Sequence, residues 1–219
     1  MTRMNAYEKL QTARSQTRPT ARSYIEKLFQ ERTELHGDRK YADDAAIIGG
    51  IGMLGDIPAT FIGIERGRNL EERIRCNFGC PMPEGYRKAL RLMRQAEKFH
   101  RPVICFVDTS GAFCGEEAEE RGQGQAIADN LMQMMGLETP IITIVIGEGG
   151  SGGALGLSVA NKLYMLENAV FSVISPEGCA SILWKDAAKA ETAAANLRLT
   201  AEDAKSLGVI ERILSENDI

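Results

Sequence analysis

Residues 140–160 read PIITIVIGEGGSGGALGLSVA, and this stretch decides the fold. Every residue from Ile141 to Ile146 is β-branched, the composition of a short strand buried on both faces, as in a parallel sheet. Five of the seven residues from Gly147 to Gly153 are glycine. Neither a strand interior nor a helix interior favours them, because each loses extra backbone freedom on folding. From Ala154 the spacing of Leu155, Leu157, Val159 and Ala160 fits a buried helix. The unit therefore reads strand, glycine turn, helix. Such a turn brings bare backbone N–H groups, at the positive end of a helix dipole, to the edge of a sheet. It predicts a site for an anion or a developing oxyanion.

Working toward the N-terminus, VICFVD at 103–108 is a second apolar strand, followed by the loop 109–115, TSGAFCG, and an acidic-headed helix over 116–135. Residues 84–99 form an amphipathic helix. Tyr86, Leu90, Met93 and Phe99 lie on one face, and Arg87, Lys88, Arg91 and Arg94 on the other, which reads as a solvated face. Residues 66–77, RGRNLEERIRCN, hold four arginines, either a solvated mixed-charge run or a docking surface for a phosphate-bearing ligand or acidic partner. Two strands over 46–53 and 59–65 form a hairpin, and helical spacing runs from Thr20 to Leu35, with Thr20 or Ser23 as caps. Residues 1–17 are polar, loose or helical.

Toward the C-terminus come a strand over 169–175, helices over 176–184 and 186–196, a short helix that Thr200 and Asp203 cap, and a last strand over 209–214. Strands alternate with helices at crossover spacing. This predicts an α/β fold with a mainly parallel sheet flanked by helices, one domain over 18–219.

A length of 219 residues suits one large core, and a net charge of -4 disfavours nucleic acid as a partner. No apolar run reaches the ~20 residues of a membrane span. The N-terminus lacks a signal core, so a cytoplasmic location is expected. Of the five cysteines, Cys105 falls in an apolar strand. Cys76 and Cys80 have no second pair at ligand spacing, so no metal site is expected.

The glycine turn admits three readings. Gly147, Gly149 and Gly152, with Glu167 downstream, match the dinucleotide fingerprint, but far from the first strand. Gly149, Ser151 and Gly153 match a hydrolase elbow. That reading needs a base, and the only histidines, His36 and His100, precede the serine instead of following it. The third reading uses backbone amides alone. Turns 109–115 and 147–153 follow neighbouring strands and present donors to one oxyanion, each donor contributing on the order of 10²–10³ in rate.

The runs IGEGGSGGAL, VISPEGCASILWKDAAKA, EERGQGQAIADNL and NFGCPMPEGYRKALRLM together resemble the carboxyltransferase alpha subunits of bacterial acetyl-CoA carboxylase, over roughly residues 18–214. The resemblance implies a crotonase (ClpP-like) fold of repeated ββα units. It implies transfer of a carboxyl group from carboxybiotin to acetyl-CoA, giving malonyl-CoA, the first committed step of fatty acid synthesis. The implied partners are a zinc-bearing beta subunit, the biotin carboxyl carrier protein and biotin carboxylase, in an alpha2beta2 heterotetramer. It places Gly152 and Gly153 at the oxyanion turn beside biotin, with Gly111 and Ala112 as the supporting loop. Gly149, Gly150 and Ser151 then line the biotin site, Ser151 as a turn residue. Arg87, Lys88 and Arg91 are secondary candidates for anion contacts. The first loop reads DTSGAFCG where the family's usual form is like DTPGAYPG, and the chain is shorter than many relatives. The rivals are a serine hydrolase using Ser151 and a non-catalytic scaffold of the same fold.

Overall fold

The structure is a computed structural model that describes residues 4–217. Asn5 and Glu8 close a reciprocal capping box that opens helix α1 (Ala6–Ala13). Leu10 and Ala13 of α1 are buried in a cluster with Val170, Ala194 and Leu199. Lys9 Nζ lies 2.7 Å from both a Glu202 carboxylate oxygen and the Glu167 carbonyl. The polar N-terminal residues thus tie α1 to the C-terminal part of the chain.

Helix α2 (Ala21–Leu28) stops short of the helix expected through Leu35, because Phe29 begins strand β1 (Phe29–Glu34). Phe29 is fully buried, edge-on to Phe61 at 5.2 Å, and β1 pairs antiparallel with β2 (Ile47–Leu54). That pairing and burial outweigh the helical spacing. Thr20 occupies the N-cap of α2 without a side-chain bond. Strands β2 and β3 (Ile57–Ile64) make the expected hairpin. Helices α3 (Leu70–Arg75) and α4 (Pro83–Lys98) then lead to β4 (Val103–Thr109), parallel to β3 and buried along its whole length.

The helix expected over 116–135 is two, α5 (Glu116–Glu120) and α6 (Gln123–Gly136), broken at Gly122 by its φ of 81°. Strand β5 (Ile141–Gly150) lies parallel to β4 and runs four residues further than the apolar run suggested. Its first half pairs with β6 (Lys162–Leu166), a strand that sequence patterning missed, and its last three residues pair with β7 (Val170–Ser172). Between them sits only a five-residue helix, α7 (Ser151–Leu155), in place of a buried helix through Ala160. Leu157 is buried and Val159 packs against the core, so their apolar character reflects burial in a turn. Helices α8 (Pro176–Trp184), α9 (Ala190–Leu197) and α10 (Ala201–Ser206) precede β8 (Arg212–Leu214), parallel to β6. A 3-10 turn at Ala187–Lys189 takes the start of the helix expected over 186–196, and the Thr200–Asp203 capping box is present. The sheet order is β1-β2-β3-β4-β5-β6-β8 with β7 beside β5, so the sheet is antiparallel only at its β1–β3 end.

On the basic face of α4 Arg94 is exposed, but Arg87, Lys88 and Arg91 are neither solvated nor open to an external anion. Arg87 bonds Asp38 at 2.7 Å and Glu84 at 3.1 Å, and Lys88, 1% exposed, bonds Asp43 at 2.6 Å. Arg91 donates to the carbonyls of Gly37 and His36. Residues 36–46 cover this face, a long-range contact that helical periodicity cannot report. Beneath them, burial pushes the Asp44 carboxyl up to about 6, against hydrogen bonds from the Ala46 and Met82 amides and the charge of Lys88. An exposed aspartate ionises near ~3.9. Between about pH 4 and pH 6 the folded chain therefore holds a proton that the unfolded chain has lost, and stability falls as pH rises through that window. Asp38 and Asp43 have the opposite sign. Burial alone would raise them, but bonds from Tyr41, Lys40 and Arg87, and from Lys88 and Gly37, hold both below the ordinary range. Their contribution is present above about pH 4 and is lost on further acidification. Urea midpoints for Asp44→Asn should lose most of the decline that the parent shows from about pH 4.5 to 6.5; an unchanged decline would show that another group carries it.

Candidate active site

Strands β4 and β5 are neighbours, and the loops leaving their C-terminal ends meet. A Cβ added at Gly150 would lie 2.2 Å from the Ser110 carbonyl oxygen, and one at Gly153 would lie 2.3 Å from the Ala112 nitrogen. Real side chains cannot approach so closely, so these two glycines are required by backbone packed on backbone. At Gly152 the nearest atom to such a Cβ is 3.9 Å away, on Ile127, so this position has room.

Ser151 has a φ of 50°, the left-handed bend that turns β5 into α7. Gly152 and Gly153 stand in the first turn of α7, where a helix supplies no internal acceptor for N–H groups. In the facing loop the Gly111 N–H is already bonded to Thr109 Oγ1 at 3.0 Å, and the Thr109 hydroxyl donates to the Gly111 carbonyl. Of the two loop residues expected as donors, Ala112 is therefore the one whose amide is not taken by Thr109. Ser110, Gly149, Gly150 and Ser151 border a cleft of about 230 Å³, closed on its other side by Ser172, Val173 and Ile174.

The residues that hold these turns were largely hidden in the sequence. Tyr86, which reads as part of the apolar face of α4, donates its hydroxyl to the Gly153 carbonyl at 3.0 Å. Asn130 Nδ2 donates to the Gly156 carbonyl at 3.0 Å. Gln123 Nε2 bonds the carbonyls of Pro81 and Phe113, and the Phe113 N–H bonds Pro81, so the loop lacking the family's prolines is pinned by an amide. Glu148 is buried inside the glycine run. Arg14 grips it with two bonds of 2.7 and 3.0 Å and also bonds Glu177 at 2.8 Å. The Glu148 amide donates to Asp108 Oδ1 at 2.9 Å, and Arg66 bonds the same carboxylate at 3.0 Å. Burial pushes Asp108 up, and the Arg66 charge opposes it. Burial disfavours the Arg14 charge, but the bonds to Glu148 and Glu177 outweigh it, and its pKa rises. The only legible signal was a carboxylate placed among glycines and β-branched residues.

The geometry disfavours the two side-chain readings of the turn. His100 lines a recess with Pro140, before β5 begins, whereas Ser151 follows its last residue. Ten extended residues separate them, roughly 33 Å. His36 Nδ1 is engaged by Asp43 at 3.1 Å, beside the Lys88 end of α4. Ser151→Ala should therefore cost at most about tenfold in turnover, where loss of a true serine nucleophile costs about 10⁶. Steady-state rates for that variant decide between these outcomes. The dinucleotide match fails on structure, since Gly147 and Gly149 lie within β5 and Glu167 is occupied by Ser215 and the Glu216 amide. Cys76 donates to the Ala45 carbonyl, and among the described residues no group of three or more His, Cys, Asp or Glu side chains comes together as metal ligands.

The sequence matches the family model described as acetyl co-enzyme A carboxylase carboxyltransferase-like over residues 1–219. The chain belongs to that family. The acetyl-coenzyme A carboxylase carboxyl transferase subunit alpha of Ruminiclostridium cellulolyticum is 60% identical over 214 residues, 98% of this chain and 82% of that protein. The Bacillus cytotoxicus subunit alpha is also 60% identical, covering 98% of this chain and 66% of its own. In Clostridium tetani a protein named subunits beta/alpha is 59% identical, with this chain spanning 38% of it. Among solved structures, transcarboxylase 12S superposes with a TM-score of 0.79 at 18% identity, over 98% of this chain and 42% of that one. The MdcD-MdcE hetero-dimer of Pseudomonas malonate decarboxylase gives 0.68 at 15% identity, covering 90% and 80%. These likenesses bear out the expected α/β fold with a mainly parallel sheet flanked by helices, and β2, β3 and α4 form one ββα unit within it. Among the described residues no helix is long and apolar enough to cross a membrane.

Proposed function

We propose that this chain is the alpha component of an acetyl-CoA carboxylase carboxyltransferase, acting with a beta subunit on acetyl-CoA and on carboxybiotin borne by a carrier protein. The observation that carries this reading is the contact of the two turns, Gly150 against Ser110 at the border of a cleft and Gly153 against Ala112 behind it. The donors there are amides, and the one carboxylate among the cleft residues, Glu148, is held by Arg14, which suits a ligand that presents a single developing oxyanion. Gly149, Gly150 and Ser151 would border the biotin ring, and the small residues around the cleft leave room for it. When bound, carboxybiotin supplies an activated carboxyl group and, once that group has left, a ring nitrogen able to take a proton.

The chain's own part is electrostatic. Gly152 and Gly153, with Ala112 opposite, would offer fixed N–H dipoles to the ureido oxygen, where negative charge would grow as the carboxyl leaves. Gly111 shapes the loop through its two bonds to Thr109. The beta subunit would face the cleft and hold the thioester, completing an alpha2beta2 assembly that receives biotin carboxyl carrier protein charged by biotin carboxylase. Residues 18–219 act in this reading as one domain, with α1 bracing the turn. The test is malonyl-CoA formation by beta subunit and carboxylated carrier with and without this chain. Formation that requires the chain is the expected result, and equal formation without it would leave only a scaffold.

A further inference from the structure

Beside the turn lies a second recess, lined by Arg14, Arg18, Arg66, Arg68 and Arg73 with one carboxylate, Asp108. Five guanidinium groups converge there in a chain whose net charge is -4. Three of them come from the arginine-rich run 66–77, which the proposed carboxyl transfer does not use.

The arginines are not equally committed to internal partners. Arg14 is held by Glu148 and Glu177, and Arg66 by Asp108. Arg68 is half exposed, bonds Glu72 loosely at 3.4 Å and lies 3.8 Å from Glu26. Arg73 has no carboxylate partner among the described residues and lies 5.5 Å over the ring of Phe78, itself 46% exposed. The wall also contains two buried polar atoms without partners. Thr20, 8% exposed, has an unbonded Oγ1. Arg18 donates to Glu216 and to the Ile146 carbonyl, yet its Nε has no acceptor. Native interiors leave few such groups, and each calls for an explanation. The recess measures about 30 Å³, room for a few water-sized groups, and so for one phosphoryl group, with the remainder of a larger ligand lying outside it.

We propose that this recess is a phosphate-binding subsite, in which Arg73 supplies the free charge, Arg68 a charge loosely shared at the surface with Glu72 and Glu26, and Arg66 the fixed fork. Planar guanidinium groups bind phosphate oxygens in pairs, and charge-assisted bonds of this kind are the strong ones. An anion here would sit one ion pair from the glycine turn, because Arg14 and Asp108 both bond Glu148. Two sources share this chemistry, the phosphorylated nucleotide tail of a coenzyme A thioester and free inorganic phosphates. The subsite stands by itself; only the assignment to the thioester's tail rests on the proposed function.

Calorimetric titration of the full chain, alone and in complex with the beta subunit, tests this with pyrophosphate, coenzyme A, 3′-dephospho-coenzyme A and pantetheine. Saturable pyrophosphate binding is expected, weakened about tenfold by Arg73→Gln, as for loss of one charge-assisted contact. Raising salt should weaken it further, and pantetheine should not compete. Among the described residues Arg73 forms no ion pair, so the variant should fold, and Arg68→Gln gives a second substitution, at a half-exposed arginine with only loose carboxylate partners. No saturable pyrophosphate binding, or a Kd unchanged in both variants, overturns the subsite. Coenzyme A binding more tightly than pyrophosphate, and losing affinity without its 3′-phosphate, assigns the site to the nucleotide tail. Equal affinities assign it to free phosphates, with the subsite upheld. If carboxyl transfer proceeds while neither variant alters binding, the subsite fails and the proposed function stands. If pyrophosphate binds as expected but transfer never requires the chain, the reverse holds.

Discussion

Gly153→Val is expected to abolish carboxyl transfer while leaving most of the sheet intact. A Cβ at this position would lie 2.3 Å from the Ala112 nitrogen and 2.5 Å from the Gly111 carbonyl carbon, so one backbone must move away from the other. Both turns then lose their relative placement, and two donors are misdirected by a single substitution. Each amide donor contributes on the order of 10²–10³ in rate, so a fall of at least about 10³ in kcat is expected. Gly152→Ala supplies the contrast, because the nearest neighbour of its Cβ is 3.9 Å away. That variant should retain the fold and most of the rate. Malonyl-CoA formation by the two proteins with the beta subunit checks the pair. Comparable rates for both would mean that the packed amides are not the source of charge stabilisation.

Arg14→Ala carries the largest expected loss of stability. The Glu148 carboxylate is 6% exposed, and its other cation, Arg66, is 3.9 Å distant and already shared with Asp108. Removing one partner of a buried ion pair leaves an uncompensated charge and costs about 3–5 kcal/mol. For a chain of this size that lowers Tm by roughly 10 °C. Glu148 pairs with Val170 and precedes the turn by three residues, so activity should fall with stability. Adding Glu148→Gln to Arg14→Ala should restore much of the lost stability, since no buried charge then stands alone. A Tm within about 1 °C of the parent in the single variant would place this pair with weak surface bridges, worth under ~1 kcal/mol.

The hairpin, strands β4 and β5, the amphipathic α4 and the Thr200 capping box were legible because each is written in local terms: alternation, β-branching, helical spacing, a cap residue. The breaks were less so. Phe29 fits a helical face as well as a strand, and only its burial against Phe61 and the pairing of β1 with β2 decide the matter. Strand β6 is short and begins with an exposed lysine, so its pattern is too brief to stand out. The basic face of α4 looked solvated because its acidic partners, Asp38 and Asp43, lie more than forty residues away in the chain.

The candidate site divides along the same line. Its place was readable, from glycines that no element interior favours, following an apolar strand. Its support was not readable. Tyr86 reads as part of an apolar helix face, Gln123 only as a residue of the helix over 116–135 and Arg14 as part of a polar segment, yet each bonds the turns or the buried acid beside them. The sequence by itself determined a parallel strand ending in a glycine turn and the family to which the chain belongs. Tertiary structure alone decided that two such turns touch, which amide of the facing loop is spent on Thr109 and which distant charges hold Glu148. Propensity and periodicity act over a few residues, whereas ion pairs and backbone packing join residues that only the folded chain brings together.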